Sequence, residues 1–461
     1  MSNKRSTNLH NVFYPETIAV IGASSKPEKI GHAILKNIVD YGYKGKIYPI
    51  NPDKEDIIGL KTLPNVQDIP EEVDLAIIAV PAPIVPKVME NCVNKGVKGA
   101  LIITSGFSEI GDEGQKLEET VLGIARRGNV RIIGPNMMGI VNTSNRLNAI
   151  FVLPKAIPGE IAFISQSGAM GNAILSLGSK LRIGFSKFVS IGNMSDLDFS
   201  DMLEYLGKDD ETKVVSMYIE GLKEARRFLR IAEKVTRMKP VIAIKAGRSG
   251  AGARAITSHT GYLAGSDRIY DAAFKQARIL RVHDIEELFD VAKAFVFQGG
   301  VNGKGVAIVT NSGGPGILAS DACEDEGLQV PELSQETIKK LKAKLPPICS
   351  TKNPVDLVAN ADPSRYKFAI ETAAKDSSVD CIIVILTPPD AIIPGGSTTI
   401  AEAVASMSGN IGKPIVTSWM GGVEVEEGIR ILESKKVPNL PTPERAARVV
   451  ALMSRYSTNK D

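Results

Sequence analysis

Short continuous apolar runs bounded by turn residues recur along the chain, alternating with stretches of helical periodicity. The first series is "TIAVIGAS" (17–24), "KIYPINP" (46–52), "LAIIAVP" (75–81), "GALIITSG" (99–106) and "VRIIGPN" (130–136). Runs that are apolar throughout read as strands buried on both faces, and the helical stretches between them as crossovers of a parallel sheet. This predicts an α/β fold beginning with a Rossmann-like domain. After the loop "FVLPKAIPG" the pattern restarts with "GEIAFISQSG" (159–168), "FSKFVSIGN" (185–193), "KVVSMYIEG" (213–221) and "PVIAIKAG" (240–247). After "FQGGVNGKG" it opens a third time, with "VAIVTNSGG" (306–314), "CIIVILTPP" (381–389) and "KPIVTSWMGG" (413–422). The expected division is 1–150, 151–298 and 299–461, in keeping with roughly 100–200 residues per domain.

The three openings "IAVIGASS", "IAFISQSG" and "VAIVTNSG" share one design: a buried strand, a turn of small residues, then a helix. Such a turn presents free N–H groups beside the positive end of a helix, an arrangement that binds anions. A single turn of this kind is equally explained by close strand–helix packing; three of them favour ligands. The candidate anion-binding residues are Ser165, Gln166, Ser167 and Gly168 in the second turn, and Asn311, Ser312, Gly313, Gly314 and Gly316 in the third. The first turn, "GASSKPEKIG", lacks the GxGxxG spacing, and the second strand ends at Asn51 where an NAD-binding domain carries an acid for the ribose. An NAD-dependent oxidoreductase is therefore disfavoured. Lys26 and Lys29 beside the turn suit a ligand with an additional phosphate, and equally suit a solvated surface.

Composition narrows the classes further. With 43% apolar and 23% charged residues the chain is an ordinary globular protein, and a net charge of +3 without basic runs argues against nucleic acid or a membrane surface. No apolar run reaches the ~18 residues that span a bilayer, and the start "MSNKRSTNLH" has no apolar segment, so a cytoplasmic location is expected. The four cysteines are scattered and no His is spaced with them for zinc, so no metal site is expected.

His10, His32 and His283 read as structural histidines. His259 stands apart: it sits in "AITSHTGYLAG", downstream of "KAGRSGAGARA", which reads as a mobile, polar loop with Arg248 and Arg254 close to an anion. A neutral imidazole attacks phosphorus when an acceptor holds its other nitrogen. Glu220, in "YIEGL" at a strand end, is the expected acceptor; the alternatives are Asp267 as the partner, or a Glu220 that only caps or pairs locally. An imidazole with two anion cradles suggests a shuttle that carries phosphate between them.

The motifs "GPNMMG", "SQSGAMG", "YIEG", "TSHTG" and "TNSGGPG", in this order, resemble the NDP-forming acyl-CoA synthetases, relatives of succinyl-CoA synthetase. The domain order resembles the alpha subunit of the ADP-forming acetyl-CoA synthetases. The resemblance implies a CoA-binding first domain followed by two flavodoxin-like domains, and a chemistry in which acyl-CoA, ADP and phosphate become acid, ATP and CoA. That route runs through an acyl phosphate and a phosphohistidine at His259, oriented by Glu220. By analogy the CoA contacts are Gly22, Ala23, Ser24, Ser25, Lys26, Lys46, Val80, Pro81, Ala82, Thr104, Ser105 and Gly106, with Asn136 near the thioester. No P-loop is present, since "QGGVNGKG" lacks the required spacing. The resemblance therefore implies a separate beta subunit with ATP-grasp domains that holds Mg-ADP or Mg-ATP, in an α2β2 assembly. Alternatives are a succinyl- or aryl-acetyl-specific relative and a non-catalytic CoA-binding regulatory module; an intact His259–Glu220 pair argues against the latter.

Overall fold

The computed structural model describes residues 9–53, 56–153, 155–260 and 266–458, with the helical backbone alone for 257–260. The chain forms two compact units, Met1–Ile285 and Glu286–Asp461.

Unit 1 contains two sheets. The first is formed by β1 (Thr17–Ile21), β2 (Lys46–Ile50), β3 (Leu75–Ile78), β4 (Gly99–Ile102) and β5 (Arg131–Ile133), in the order β2-β1-β3-β4-β5, all parallel. Every residue of β1, β3 and β4 is buried, which is why these runs are continuously apolar rather than alternating. Period-two geometry still sorts them: Ile18 and Val20 pack into one core, Ala19 and Ile21 into another on the opposite face.

The second sheet comprises β6 (Gly139–Asn142), β7 (Leu147–Ile150), β8 (Pro158–Ser165), β9 (Phe185–Ser190), β10 (Val214–Ile219), β11 (Val241–Lys245) and β12 (Leu280–Val282). Its order is β12-β11-β10-β8-β9-β6-β7, with β6 and β7 antiparallel additions at one edge. Residues 139–150, inside the segment expected to close the first domain, thus pair into the second sheet. One core cluster runs from Ile18 and Val20 through Ile140 to Ile164 and Met217, joining the two sheets into a single unit.

Unit 2 is built on β13 (Val306–Thr310), β14 (Val355–Asp356), β15 (Cys381–Leu386) and β16 (Ile415–Trp419), ordered β14-β13-β15-β16 and parallel. Helix Ile285–Gln298, expected at the end of the second segment, is bound to this unit: Lys293 pairs with Glu433 at 2.6 Å, and Arg445 and Arg448 pair with Asp290 and Glu287.

The expected mobile loop before His259 is instead helix Gly250–Thr260. Its alanines 251, 253 and 255 favour the helix strongly enough to carry Gly250 and Gly252, and the Ser249 hydroxyl accepts from the Gly252 N–H at 3.1 Å, capping its start. No helix among the described residues is long and apolar enough to cross a membrane.

Candidate functional site

In an open α/β sheet, ligands bind outside the carboxyl ends of the strands where the strand order reverses. In all three sheets this point falls beside the first strand of the parallel set: between β1 and β3, between β8 and β10, and between β13 and β15. Each of these first strands runs into one of the small-residue turns.

The first turn is tight. Gly22 has φ +90°, and a Cβ there would run into the Ala79 carbonyl and lie 3.0 Å from the Val80 side chain. Asn51 donates to the Ala23 carbonyl at 2.8 Å and accepts from the Asp53 N–H, so the position that holds a ribose in NAD domains here braces the turn. The Thr104 hydroxyl donates to the Val80 carbonyl at 2.7 Å, tying the turn after β4 to the end of β3.

The second turn is organised by its own side chains. The Ser165 hydroxyl donates to the Ser167 carbonyl at 2.6 Å, and the Ser167 hydroxyl accepts from Met170 N–H, capping helix Gly168–Lys180. Gln166 reaches across the strand-order reversal, where its Oε1 accepts from the backbone N–H groups of Glu220 and Gly221 at 2.9 and 3.0 Å. Glu220, directly after β10, is only 5% exposed. Its charge and, above all, burial push the Tyr218 phenol up to about 12, so that hydroxyl stays protonated. Lys245, at the end of β11, is likewise buried, which lowers its pKa; its ammonium lies 4.5 Å from the centre of the Tyr270 ring.

The third turn repeats the second in unit 2. The Thr310 hydroxyl donates to the Ser312 carbonyl at 2.9 Å, helix Gly313–Asp325 follows, and Asn311 takes the part of Gln166. Asn311 donates to the Thr387 carbonyl at 2.9 Å and accepts from Thr387 N–H at 2.9 Å, bridging β13 to the chain beyond β15.

In unit 1 the second turn and the residues that follow β3 and β4 border one cavity of about 590 Å³. The expected residues Val80, Thr104, Ser105, Asn136, Gln166, Ser167, Gly168 and Glu220 all line it. Ser165 is buried beneath its turn, while Gly22, Ala23, Ser24, Ser25, Pro81, Ala82 and Gly106 shape the flanking loops without lining the cavity. Lys26 is exposed on the loop after β1. Lys46 opens β2, beside Thr17 at the amino edge of the sheet, and pairs with Glu71, whereas the turns close the carboxyl edge. The Glu220–His259 pairing lies outside the described residues, since the side chain of His259 is among those not described. The helix that carries it packs against the turn Ser108–Ile110. Arg248, expected near an anion, contacts His283 at 2.8 Å.

Several lining residues were missed by sequence reasoning: Met137, Met138, Phe151, Val152, Asn172, Gly192 and Asn193. Gly192 had a signal, because "SIGN" closes β9 as the other turns close their strands. A Cβ there would strike the carbonyls of Pro135 and Asn136. Asn193 is buried and donates to Glu109 at 2.6 Å and Glu118 at 3.1 Å, while its carbonyl accepts from Asn136 at 3.3 Å. Asn136 has φ +56°, a backbone that Asn tolerates better than most residues.

The chemistry open to this site is limited. Among the described residues no group of three His, Cys, Asp or Glu side chains could hold a metal ion. All four cysteines are buried, and burial pushes the thiols of Cys92 and Cys323 up to about 12, so neither is a ready thiolate. Helix-start N–H groups, a buried carboxylate, the hydroxyls and amides of Thr104, Ser105, Asn136, Asn172 and Asn193, and apolar walls remain.

Comparison with known proteins bears on the same regions. Residues 16–143 match a CoA binding domain, 158–295 a succinyl-CoA ligase like flavodoxin domain, and 306–460 a Ligase-CoA domain. The chain is 45% identical to the acetate–CoA ligase [ADP-forming] II subunit alpha of Pyrococcus furiosus, covering 98% of both chains. The chain belongs to the ADP-forming acetate–CoA ligase family. Within that family it is 46% identical to the acetate–CoA ligase [ADP-forming] of Methanocaldococcus jannaschii over 99% of its own length, but spans 64% of that longer relative. The fold agrees with the family as well. The dinucleotide forming acetyl-coenzyme A synthetase 1 of Ca. Korarchaeum cryptofilum, solved in complex with phosphate and ADP, superposes with a TM-score of 0.92. It is 39% identical, with 98% of this chain and 97% of that one covered.

Proposed function

We propose that this chain is the catalytic alpha subunit of an ADP-forming acyl-CoA ligase acting on acetyl-CoA or a close analogue. In this reading acyl-CoA, ADP and phosphate are converted to carboxylic acid, ATP and CoA. The observation that carries the reading is the cavity of unit 1 bordered by the residues after β3 and β4, Val80, Thr104 and Ser105, on one side and by the second turn, Gln166–Gly168, with Glu220 on the other.

CoA enters along the first turn and the residues after β3 and β4, with Asn136 near the thioester. Inorganic phosphate sits at the start of helix Gly168–Lys180, where free N–H groups and the helix dipole offset its charge. A phosphate oxygen attacks the thioester carbonyl, the carbon–sulfur bond breaks, and CoA leaves, giving an acyl phosphate. A ring nitrogen of His259 then attacks phosphorus and expels the carboxylate. Glu220 accepts a hydrogen bond from the other ring nitrogen and stabilises the cationic phosphohistidine. Phosphoryl transfer of this kind depends chiefly on positioning and charge stabilisation, which the turns supply. The phosphoryl group finally passes to ADP, regenerating the imidazole, and Asn311–Gly316 forms a second anion cradle.

ADP and its magnesium belong to a partner beta subunit with ATP-grasp domains, in an α2β2 assembly in the cytoplasm. The alpha-subunit naming of the Pyrococcus relatives and the greater length of the Methanocaldococcus chain support a separate partner. The test is incubation of the full chain with acetyl-CoA and radiolabelled phosphate. The expected product is an acid-labile, base-stable label on the wild type and none on His259→Ala. Equal labelling of both proteins would contradict the proposal.

A further inference from the structure

Resting on that reading, we infer that Met138 is the residue that limits the size of the acyl group. For phosphate held at the start of helix Gly168–Lys180 to attack the thioester, the carbonyl carbon must come within about 3–3.5 Å of a phosphate oxygen. The acyl substituent is therefore a near neighbour of Gly168. A Cβ built on Gly168 has Met138 Cβ at 3.4 Å, Met138 N at 3.7 Å and the Ser190 hydroxyl at 3.8 Å as its nearest atoms.

The Met138 side chain then runs along the first turn of the helix, its Cε 3.5 Å from where a Cβ on Gly171 would lie. It lines the cavity while only 2% exposed. Its backbone is fixed: Met138 N–H donates to the Ser190 hydroxyl at 3.0 Å, and the next residues enter β6, paired to β9. A side chain with an anchored backbone and a flexible apolar end, wedged between the anion cradle and the sheet, occupies the space into which a longer or branched acyl chain would extend.

One extra methylene in an apolar pocket changes discrimination by about 10- to 200-fold. Truncating Met138 is expected to shift preference toward the bulkier acyl group by about tenfold or more. The experiment is calorimetric titration of the full-length wild type, Met138→Ala, Met138→Val and Met138→Leu with acetyl-CoA and isobutyryl-CoA. Labelled-phosphate incorporation is measured in the same samples. The expected result is an affinity ratio moved toward isobutyryl-CoA in the Ala and Val variants and kept near the wild-type ratio in the volume-conserving Leu variant. Folded Ala or Val variants with the wild-type ratio would overturn the inference. A shifted ratio without label on any of the proteins would leave Met138 as the size filter and remove the catalytic reading instead.

Discussion

Gln166 and Glu220 are separated by more than fifty residues, yet the amide of one holds the backbone of the other. Their types were readable: a small-residue turn after one strand, an acid after another. Their coupling was not, because it depends on the register of β8 against β10, where Ser165 lies beside Tyr218. Lys46 shows the converse. The family resemblance names it as a CoA contact, but position within a strand decides which edge of the sheet a residue occupies, and Lys46 opens β2. Asp376 is a third residue whose role only the fold reveals. Burial opposes its ionisation, but the N–H groups of Ser334 and Ser378 and the hydroxyls of Thr337 and Ser378 outweigh that and hold its pKa below the ordinary value. A carboxylate whose pKa is lowered on folding adds stability above its unfolded value, and that stability is lost as pH falls through the folded one. Asp376→Ala is therefore expected to destabilise the protein by ~1–3 kcal/mol at neutral pH. In urea denaturation the difference from wild type holds down to the ordinary carboxylate value of 3.8 and shrinks below it. A difference independent of pH would contradict this origin.

At the scale of elements, the strand–turn–helix unit depends on close approach. Gly31 lies at the start of helix Ile30–Tyr41 against the Gly22 carbonyl, where an added Cβ would collide with backbone. Gly31→Ala must push the helix away from β1, and overpacking of this kind costs ~1–3 kcal/mol. The expected outcome is a lowered melting temperature together with weaker CoA binding by calorimetry; unchanged values for both would show that the turn does not need this approach. Helix Gly250–Thr260 looks like a loop in sequence because its glycines and serines are turn residues, whereas its alternating alanines and the Ser249 cap decide the local conformation. β14 has only two residues, and the apolar runs of β6 and β7 are interrupted by the buried Asn142 and Asn148, so the antiparallel edge of the second sheet is visible only once its partners are in place.

Over the whole molecule, three sheets repeat one strand order at their starts, and each places a small-residue turn at its point of reversal. The recurrence of "IAVIGASS", "IAFISQSG" and "VAIVTNSG" made the three openings legible. Strand order was not, since it is a matter of which distant runs pair, and so neither was the attachment of helix Ile285–Gln298 to unit 2, through a buried apolar face, the Phe295–Tyr456 ring contact and ion pairs to residues more than a hundred positions away. The proposed reaction turns on a single covalent event within this architecture: phosphorus carried on one imidazole from the cavity of unit 1 to a nucleotide on a partner chain. The most direct measurement is mass spectrometry, under alkaline conditions, of the complete enzyme quenched during turnover, with and without ADP. The expected result is a peptide phosphorylated on His259 when acetyl-CoA and phosphate are present, discharged once ADP is added. Full turnover with His259 unmodified at every time point would contradict it.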